Sequence, residues 1–438
     1  MAFNDQVLRS GITGDSSCRS LPAAVILAHG PGGLGAARCL ARRGVPVSAV
    51  AFTQEDAVVG SRWPRSIHVL PAGTPEQKER FLLQLLLGIE ARGAALLATS
   101  DRMLEFMSRH ADSLAAAGYR FDIPPYELIR SLNDKVSEVR MMAAFGMPVP
   151  KTVFPLPGSP DELEARLGPA VILKPRSYAE AFILNRKCLI ARDRVELDAI
   201  YAAYHDYLPL LVAQEIIPGS DDAGWVVSAS FGPRSEMLAC AVKRKLRMSP
   251  PHFGISSLAV SEWNEELVEL SRRLAERAGH VGHANFEYRY DCRDGLYKYI
   301  EMNPRVQGNV EFDDASGVPT VWQTYRSAVG LAPEPGGYRQ RDGIYFTDVL
   351  EDLRARIHDR EGPAAILRDY AALALRRRSG QYFAWDDPIP ALHWAVRFTR
   401  LRVLPAIAAR LGAAPAAPVP AAGSAVFTRR DPTASRAS

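Results

Sequence analysis

The sequence predicts an α/β fold, because strand and helix patterns alternate along most of the chain. The buried run AAVILAHG leads through PGGLG into the helical run AARCLARRG and then into a second strand, VPVSAVAF. A strand, a glycine-rich loop, a helix and a strand in that order favour a parallel sheet. Further on, WVVSASFG and MLACAVKRKLR alternate like sheet strands, and NEELVELSRRLAERAG has the spacing of an amphipathic helix.

Length and composition limit the class of protein. The chain has 438 residues, of which 47% are hydrophobic and 23% charged, as is ordinary for a globular protein of several domains. A net charge of only +4, without a basic run interleaved with aromatics, argues against nucleic-acid binding. Five scattered cysteines without a CxxC pair fit a reducing compartment. No apolar run reaches the ~18 residues of a membrane-spanning helix, and no signal peptide is evident, so we expect a cytoplasmic protein without integral membrane association.

The glycine-rich loop HGPGGLG, residues 29–35, raises the question of a dinucleotide site. Gly30, Gly33 and Gly35 fit only GxxGxG, and VAFT stands where an acidic residue should follow the second strand. A nicotinamide-dependent oxidoreductase therefore stays open as an alternative. We prefer a Rossmann-like domain over residues 21–130 that offers its glycine loop to a small substrate, preceded by a flexible leader over residues 1–20.

The next elements place lysines at the ends of regular structure. The run AALLATS is predicted as a strand, followed by a helix that Ser100 or Asp101 caps. SLNDKVSEVRMMAAFG is predicted as a helix that contains Lys135 and ends at Gly146. Lys174 ends the buried strand PAVILKPR, so it must either reach an anion or return to solvent.

The strand LPLLVAQEIIPG ends in polar residues and a turn. An adenine ring needs a backbone amide and carbonyl at an exposed strand end, with apolar walls beside them. Gln214, Glu215 and Ile217 could supply that arrangement, although a strand that simply enters a loop has the same pattern.

The segment KRKLR carries four cations in five residues. Strand alternation sends Lys243, Lys245 and Arg247 to one face and Arg244 to the other. One row of cations suits a polyphosphate, although an edge strand protected by charge would look alike. The following PPHFG, which contains His252, is predicted as a mobile loop.

The segments HANFEYRYD and LYKYIEMNPR predict a hairpin whose turn is centred near Asp294. This register sets Glu287 opposite Glu301 and Asn285 opposite Asn303. Two opposed like charges cost roughly 0.2–1 kcal/mol, which favours a cation between them. Two carboxylates and an amide oxygen are hard ligands of the kind that Mg²⁺ takes beside phosphates, although a solvated polar face is the alternative. The same register sends four residues to the core side, namely Phe286, Tyr288, Met302 and Ile300.

The pattern weakens after residue 330. We predict a helical region over residues 331–411 and a disordered tail, rich in Ala, Pro and Ser, over residues 412–438. The basic amphipathic stretch 391–404 has two interpretations. We prefer packing on the protein itself to contact with a membrane surface.

The order of these segments resembles the ATP-grasp superfamily. The Rossmann-like start is followed by LNDK and its helix, GMPVPKT, the lysine of VILKP, QEIIPG and the hairpin ending in NPR, over residues 23–330. Within the superfamily the chain is similar to carboxylate–amine ligases related to biotin carboxylase and carbamoyl phosphate synthetase, on the segments ALLATSDRMLEF, KRKLRMSPPHFG and WDDPIP. The resemblance implies that residues 131–330 form an ATP-grasp domain of two α+β subdomains that clamp ATP.

The resemblance also implies a reaction and a set of site residues. ATP would activate a carboxylate as an acyl phosphate, and an amine would then displace the phosphate. The residues implied in ATP binding are Lys135, Lys174, Gln214, Glu215, Ile217 and Lys243. Glu287, Glu301 and Asn303 would hold Mg²⁺ or Mn²⁺. Arg305 and Lys245 would act in catalysis.

The substrates are less well indicated. Arg247 and His252 are candidate contacts to the carboxylate substrate. Segment 176–188 stands where many family members have a glycine-rich lid, yet it contains no glycine. The implied partners are a small-molecule carboxylate and an amine, with a homodimer left open. A nucleotide-binding protein without ligase activity is the second alternative.

Overall fold

The computed structural model describes residues 21–184, 187–332, 334 and 337–404. The predicted leader (1–20) and tail (412–438) lie outside the described residues. The described chain forms three sheets, of which one is parallel, one antiparallel and one mixed. This arrangement confirms the α/β prediction, while the predicted domain boundaries stay predictions. None of the described helices combines the length and apolarity needed to cross a bilayer.

The first sheet is parallel, with the strand order β3-β2-β1-β4. Its strands are β1 (Ala24–Ala28), β2 (Val47–Ala51), β3 (Ser66–Val69) and β4 (Ala95–Ala98). The helices of this part are α1 (Gly30–Ala41), α2 (Pro75–Gly88), α3 (Asp101–Arg109) and α4 (Ala111–Ala116). Every residue of β1 and β4 is buried, as expected for strands covered on both faces. Ser100 caps α3 by accepting a hydrogen bond from the Met103 amide, as predicted.

The second sheet is antiparallel, with the strand order β5-β8-β6-β7. Its strands are β5 (Thr152–Val153), β6 (Val171–Pro175), β7 (Leu189–Ala191) and β8 (Leu211–Glu215). The helices before and around it are α5 (Tyr126–Asn133), α6 (Lys135–Ala144), α7 (Pro160–Leu167), α8 (Tyr178–Leu184) and α9 (Arg194–Ala203). The prediction of one helix over 131–146 is wrong at its start. Asp134 leaves the helical conformation and accepts from the Val136 and Ser137 amides, so α5 ends there and α6 begins.

The third sheet has seven strands in the order β13-β12-β9-β10-β11-β14-β15. Its strands are β9 (Gly224–Phe231), β10 (Met237–Ser249), β11 (Ile255–Ser261), β12 (Gly282–Asp291), β13 (Leu296–Asn303), β14 (Tyr345–Thr347) and β15 (Arg378–Gly380). The accompanying helices are α10 (Glu265–Ala278), α11 (Val310–Ala315), α12 (Thr320–Ala328), α13 (Val349–His358), α14 (Pro363–Ala374) and α15 (Ile389–Phe398). The region predicted as helical after residue 330 therefore also contributes two short strands to this sheet. Short helical turns complete the described chain at Ala57–Gly60, His205–Leu210, Asp221–Ala223 and Thr399–Val403.

The β12–β13 hairpin follows the predicted register at its functional end. Glu287 pairs with Glu301 and Asn285 with Asn303. Beyond Glu287 the register shifts by one residue, because a bulge lets Tyr288 pair with Tyr299. The predicted core position of Ile300 is therefore wrong. Tyr299 is buried in its place, and Ile300 is half-buried.

The WDDPIP segment fastens the C-terminal part to the first sheet. Asp387 is buried and accepts from Arg38 Nε at 2.9 Å and from Ser61 Oγ at 2.6 Å. The neighbouring Asp386 pairs with Arg42. Because Arg38 is also fully buried, removing either partner would leave an uncompensated buried charge.

Candidate active site

Charged side chains from three parts of the fold meet beside the open end of the β12–β13 hairpin. Lys245 Nζ on β10 lies 2.6 Å from a carboxylate oxygen of Glu287 on β12. Lys135 Nζ, at the start of α6, lies 3.3 Å from Glu301 Oε2 on β13. The Asn303 amide donates to the other Glu301 oxygen at 3.2 Å. The sequence predicted that these five residues belong to one site, and the fold brings them together.

The lysines and Glu301 shift each other's proton affinities. The attraction of Lys135 lowers the pKa of Glu301 to about 2, although burial opposes the shift. Burial disfavours the charged form of Lys135, yet Glu138 and Glu301 outweigh that effect and raise its pKa above the ordinary value. Burial, and then repulsion from Lys135, lowers the pKa of Lys174. The cluster therefore keeps several charges in a small, partly desolvated space.

Lys174 reaches this space from β6 in the second sheet. Its Nζ donates to Gln214 Oε1 at 2.8 Å, and Gln214 donates in turn to Thr152 Oγ1. Glu215 does not share this environment, since neighbouring residues of a strand point to opposite faces. Its carboxylate accepts from the Lys151 amide at 2.8 Å and pairs with Arg293 at 2.9 Å.

Ile217 follows β8 and is buried. Its carbonyl accepts a hydrogen bond from Arg289 Nε at 2.9 Å. If Glu215 and Ile217 bind a base, the contacts would therefore come from their main-chain atoms and from the apolar side chain of Ile217. This narrows the predicted role of Glu215, whose carboxylate already has two partners.

Arg305 is held by a residue that the sequence did not single out for this purpose. Its guanidinium donates to both carboxylate oxygens of Asp101, at 2.8 and 2.9 Å, and contacts Asn303 Oδ1 at 3.3 Å. Asp101 begins α3 in the first sheet's part of the chain. Such bidentate pairing fixes the plane of the guanidinium. The sequence placed Asp101 at a helix start, but no pattern linked it to a residue about two hundred positions away.

Glu138 is a second residue that the sequence analysis missed. It is fully buried, contacts Lys135 Nζ at 3.1 Å, and accepts from the Tyr299 hydroxyl at 2.7 Å and the Met302 amide at 3.0 Å. Glu138 therefore links α6 to β13 and holds the Lys135 ammonium in position. The spacing of Glu138 three residues after Lys135 on a predicted helix could have indicated this contact from the sequence.

Lys243 lies outside this cluster, and its predicted place in ATP binding stays a prediction. Its Nζ contacts Asp313 at 2.8 Å and Asn309 Oδ1 at 2.9 Å, and its side chain is 2% exposed. Thr320 also donates to Asp313. Strand alternation placed Lys243 on the predicted face, but α11 and α12 cover that part of the sheet, so the ammonium is used in a buried ion pair.

Arg247 and His252 are engaged with protein carboxylates, and their predicted contact with substrate stays a prediction. Arg247 pairs with both oxygens of buried Asp352 at 2.8 Å. A bulge between Lys245 and Arg247 interrupts the expected row of cations. His252 Nδ1 lies 2.9 Å from Asp221. These contacts fasten β10 and its loop to neighbouring elements.

The glycine-rich loop is largely packed against protein, which corrects the expectation that it is open to a small substrate. A Cβ at Gly33 would lie 2.4 Å from the Ala28 side chain, and one at Gly35 would lie 2.9 Å from Val310. The Gly30 amide, the first of α1, already donates to Asp56 at 3.0 Å. A carboxylate at that position disfavours a dinucleotide phosphate there.

The glycine-free segment 176–188 contains the short helix α8. Residues 185 and 186 of this segment lie outside the described residues. Tyr178 and Phe182 are 80% and 75% exposed, so α8 buries little of its own apolar surface. The lysine-bearing strand β6 runs directly into it.

The donor set fits Mg²⁺ in its chemistry. Glu287 and Glu301 offer carboxylates from facing strands, and Asn303 offers an amide oxygen. Asn285, opposite Asn303, is buried, and neither polar atom of its side chain has a hydrogen-bond partner in the described structure. Such an orphaned amide indicates a place for water or a ligand. Within the described residues, no three His, Cys, Asp or Glu side chains gather closely enough to hold a metal by themselves, whereas Mg²⁺ usually takes one or two carboxylates together with waters and substrate phosphates.

Comparison with known proteins identifies the fold around this site. The family described as carbamoyl-phosphate synthase L chain, ATP binding domain, matches residues 256–333, which include the hairpin. The D-aspartate ligase of Enterococcus faecium (strain Aus0004) is 28% identical over 232 residues, 50% of this chain and 54% of the relative. The biotin carboxylase of Allochromatium vinosum is 27% identical over 261 residues, 54% of each chain. The chain thus spans about half the length of these curated relatives.

A solved structure supports the same fold. The biotin carboxylase domain of Hydrogenobacter thermophilus 2-oxoglutarate carboxylase, in complex with MgADP, ADP and bicarbonate, matches with a TM-score of 0.57 at 15% identity. The match covers 74% of this chain and 73% of that chain. These similarities do not favour the nicotinamide alternative. The family match and the solved structure show that the chain has the ATP-grasp fold, which the order of its motifs predicted.

Proposed function

We propose that the protein is an ATP-dependent carboxylate–amine ligase. The observation that carries this proposal is the meeting of Lys135, Lys174 and Lys245 with the hairpin carboxylates, because these groups come from separate elements of the fold. Cations and carboxylates at this density suit a polyphosphate together with a divalent metal. Similarity to a D-aspartate ligase makes amino acids the first amines to test.

Each group has a role in this proposal. Lys135 and Lys174 contact the phosphates of ATP, and Lys245 balances charge beside the transferred phosphoryl group. The end of β8, from Gln214 to Ile217, borders the base. Glu287, Glu301 and Asn303 hold Mg²⁺, which when bound neutralises charge on the phosphates.

The reaction proceeds in two steps. An oxygen of the carboxylate substrate attacks the γ-phosphorus, the bond to the ADP oxygen breaks, and an acyl phosphate forms. The amine nitrogen then attacks the acyl carbon, phosphate leaves, and the amine proton is released to solvent. Arg305, held in position by Asp101, stabilises the oxygen that becomes negative in the tetrahedral intermediate. The remaining contribution of the protein is to orient the reactants.

The test is ADP formation from MgATP in the presence of panels of small carboxylates and amino acids. A ligase gives ADP and phosphate together, only when both substrates are present, and an amide product visible by mass spectrometry. MgATP binding without such turnover for any pair would support the non-catalytic nucleotide-binding alternative. Failure to bind MgATP would reject both.

A further inference from the structure

The C-terminal helix α15 is apolar on two opposite faces. Its inner face packs on the protein, where Trp394 stacks on Tyr382 at 4.6 Å and Phe398 is buried. Its outer face carries Leu392 and Val396, which are 64% and 61% exposed. Because α15 already buries its inner face, the exposed apolar outer face indicates a surface that something else covers.

The outer face has a regular pattern. Ile389, Leu392 and Val396 follow the i, i+3, i+7 spacing of one helical stripe, and Arg400 continues it one turn further. Ile389 is half exposed, and Arg400 is exposed. Just before the helix, Trp385 is 90% exposed, which is unusual for so large an apolar ring. This segment therefore carries an exposed aromatic residue, an aliphatic stripe and a cation.

Charge along the same segment has one sign. Residues 388–404 contain arginines and no Asp or Glu. The two aspartates just before them are already engaged, because Asp386 pairs with Arg42 and Asp387 with Arg38. A second copy of this chain docked on the stripe would bring mainly arginines to face arginines, since Glu55 beside the helix already lies 4.0 Å from Arg397. An anionic lipid surface complements both the apolar stripe and the positive charge.

We propose that α15 and Trp385 form a peripheral binding surface for anionic phospholipid. The helix would lie flat in the headgroup region, with Leu392 and Val396 in the outer acyl layer and Trp385 at the interface. Arg400 would contact the headgroup phosphates. The sequence-based preference for packing on the protein applies to the inner face of this helix, and the lipid surface covers the outer one.

Sedimentation of the full chain with vesicles tests the proposal. We expect about fivefold or stronger binding to vesicles rich in phosphatidylserine than to phosphatidylcholine alone, with loss of the preference at high salt. Val396→Ser should weaken binding about fivefold, because it removes apolar surface from the membrane-facing stripe. The matched control is Val195→Ser, a helical valine on α9 that is 76% exposed, and it should bind like the native chain.

A charge-reversal pair gives a second readout in which no apolar contact changes. Arg400→Glu should weaken binding to phosphatidylserine vesicles about tenfold. Arg166→Glu, which changes an exposed arginine on α7, should leave binding unchanged. Absence of vesicle binding, or equal effects of the paired variants, would overturn the proposal. A dimer that forms without lipid and dissociates on Val396→Ser would also overturn it, since a second copy would then cover the stripe.

Discussion

The Nζ atom of Lys245 lies 2.6 Å from the carboxylate of Glu287. Glu287 pairs across the hairpin with Glu301, whose carboxylate lies 3.3 Å from Lys135 Nζ. The opposed carboxylates therefore each have a lysine partner. The positive charge that the opposed carboxylates favour is present in the protein itself, so the pair alone does not demand a metal. The stronger argument for a metal is the combination of these carboxylates with Asn303, the orphaned Asn285 and the similarity of residues 256–333 to an ATP-binding domain family.

Replacing Glu287 with glutamine should separate a metal ligand from a simple charge partner. We expect Glu287→Gln to raise the Mg²⁺ concentration for half-maximal ADP formation by about tenfold or more, since one charged ligand is lost. The measurement is a Mg²⁺ titration at fixed ATP. Glu262→Gln serves as the control, because Glu262 pairs with Arg244, whose side chain lies on the opposite face of β10 from Lys245. Equal Mg²⁺ dependence in the two variants would speak against the assigned ligand.

Removing the charge of Asp101 should disturb catalysis more than nucleotide binding. Asp101→Asn breaks the bidentate hold on Arg305, so we expect kcat to fall on the order of tenfold with little change in KM for ATP. Steady-state kinetics of ADP release measures both constants. Asp112→Asn, at an exposed position of α4, is the matched control. A change in KM alone would show that Asp101 acts on ATP binding instead.

The buried Lys243–Asp313 pair should contribute to stability. Lys243→Met leaves Asp313 without its cation, and we expect about 3–5 kcal/mol of lost unfolding free energy. The double variant Lys243→Met/Asp313→Asn should recover part of that loss, because it removes the uncompensated charge as well. Urea denaturation measures both values. If Lys243→Met kept full stability but lost MgATP binding, the predicted role of Lys243 in the nucleotide site would be supported instead.

The low pKa of Glu301 predicts a pH dependence of stability. Lys135 holds it at about 2, below the usual 4.5, so the folded state binds fewer protons at this group than the unfolded state. Its contribution is fully present above about pH 4.5 and is lost as pH falls toward 2. The stability difference between the native protein and Glu301→Gln should therefore shrink as pH is lowered from about 5 to about 3. A difference that stays constant over that range would contradict the assigned pairing.

Local patterns were enough to predict the hairpin and its functional register. Alternation in HANFEYRYD and LYKYIEMNPR, with a turn between them, set Glu287 against Glu301 because both strands and the turn are contiguous in sequence. The same reasoning failed at Ile300, where a bulge added one residue. Bulges depend on packing across the sheet, and neither strand's own sequence announces them.

Long-range pairings account for the other contacts that the sequence did not predict. Lys243 and Lys245 look equivalent on their strand, yet only Lys243 lies beneath α11 and α12, which follow the sheet much later in the chain. Asp101 and Arg305 belong to different parts of the chain and meet only after folding. The glycines of HGPGGLG suggested a loop open to a small substrate, but close helix packing also needs residues without a Cβ.

Calorimetry with MgATP tests the central claim most directly. The native protein should bind MgATP in a one-to-one complex, and Lys174→Met should weaken that binding by about 10- to 100-fold through loss of a charge-assisted contact. Lys78→Met, which alters a lysine placed over the Phe52 ring in the first sheet's part of the chain, should bind like the native protein. A native protein that shows no heat of MgATP binding, or a Lys174→Met variant with unchanged affinity, would contradict the assignment of this lysine-and-carboxylate cluster as an ATP site.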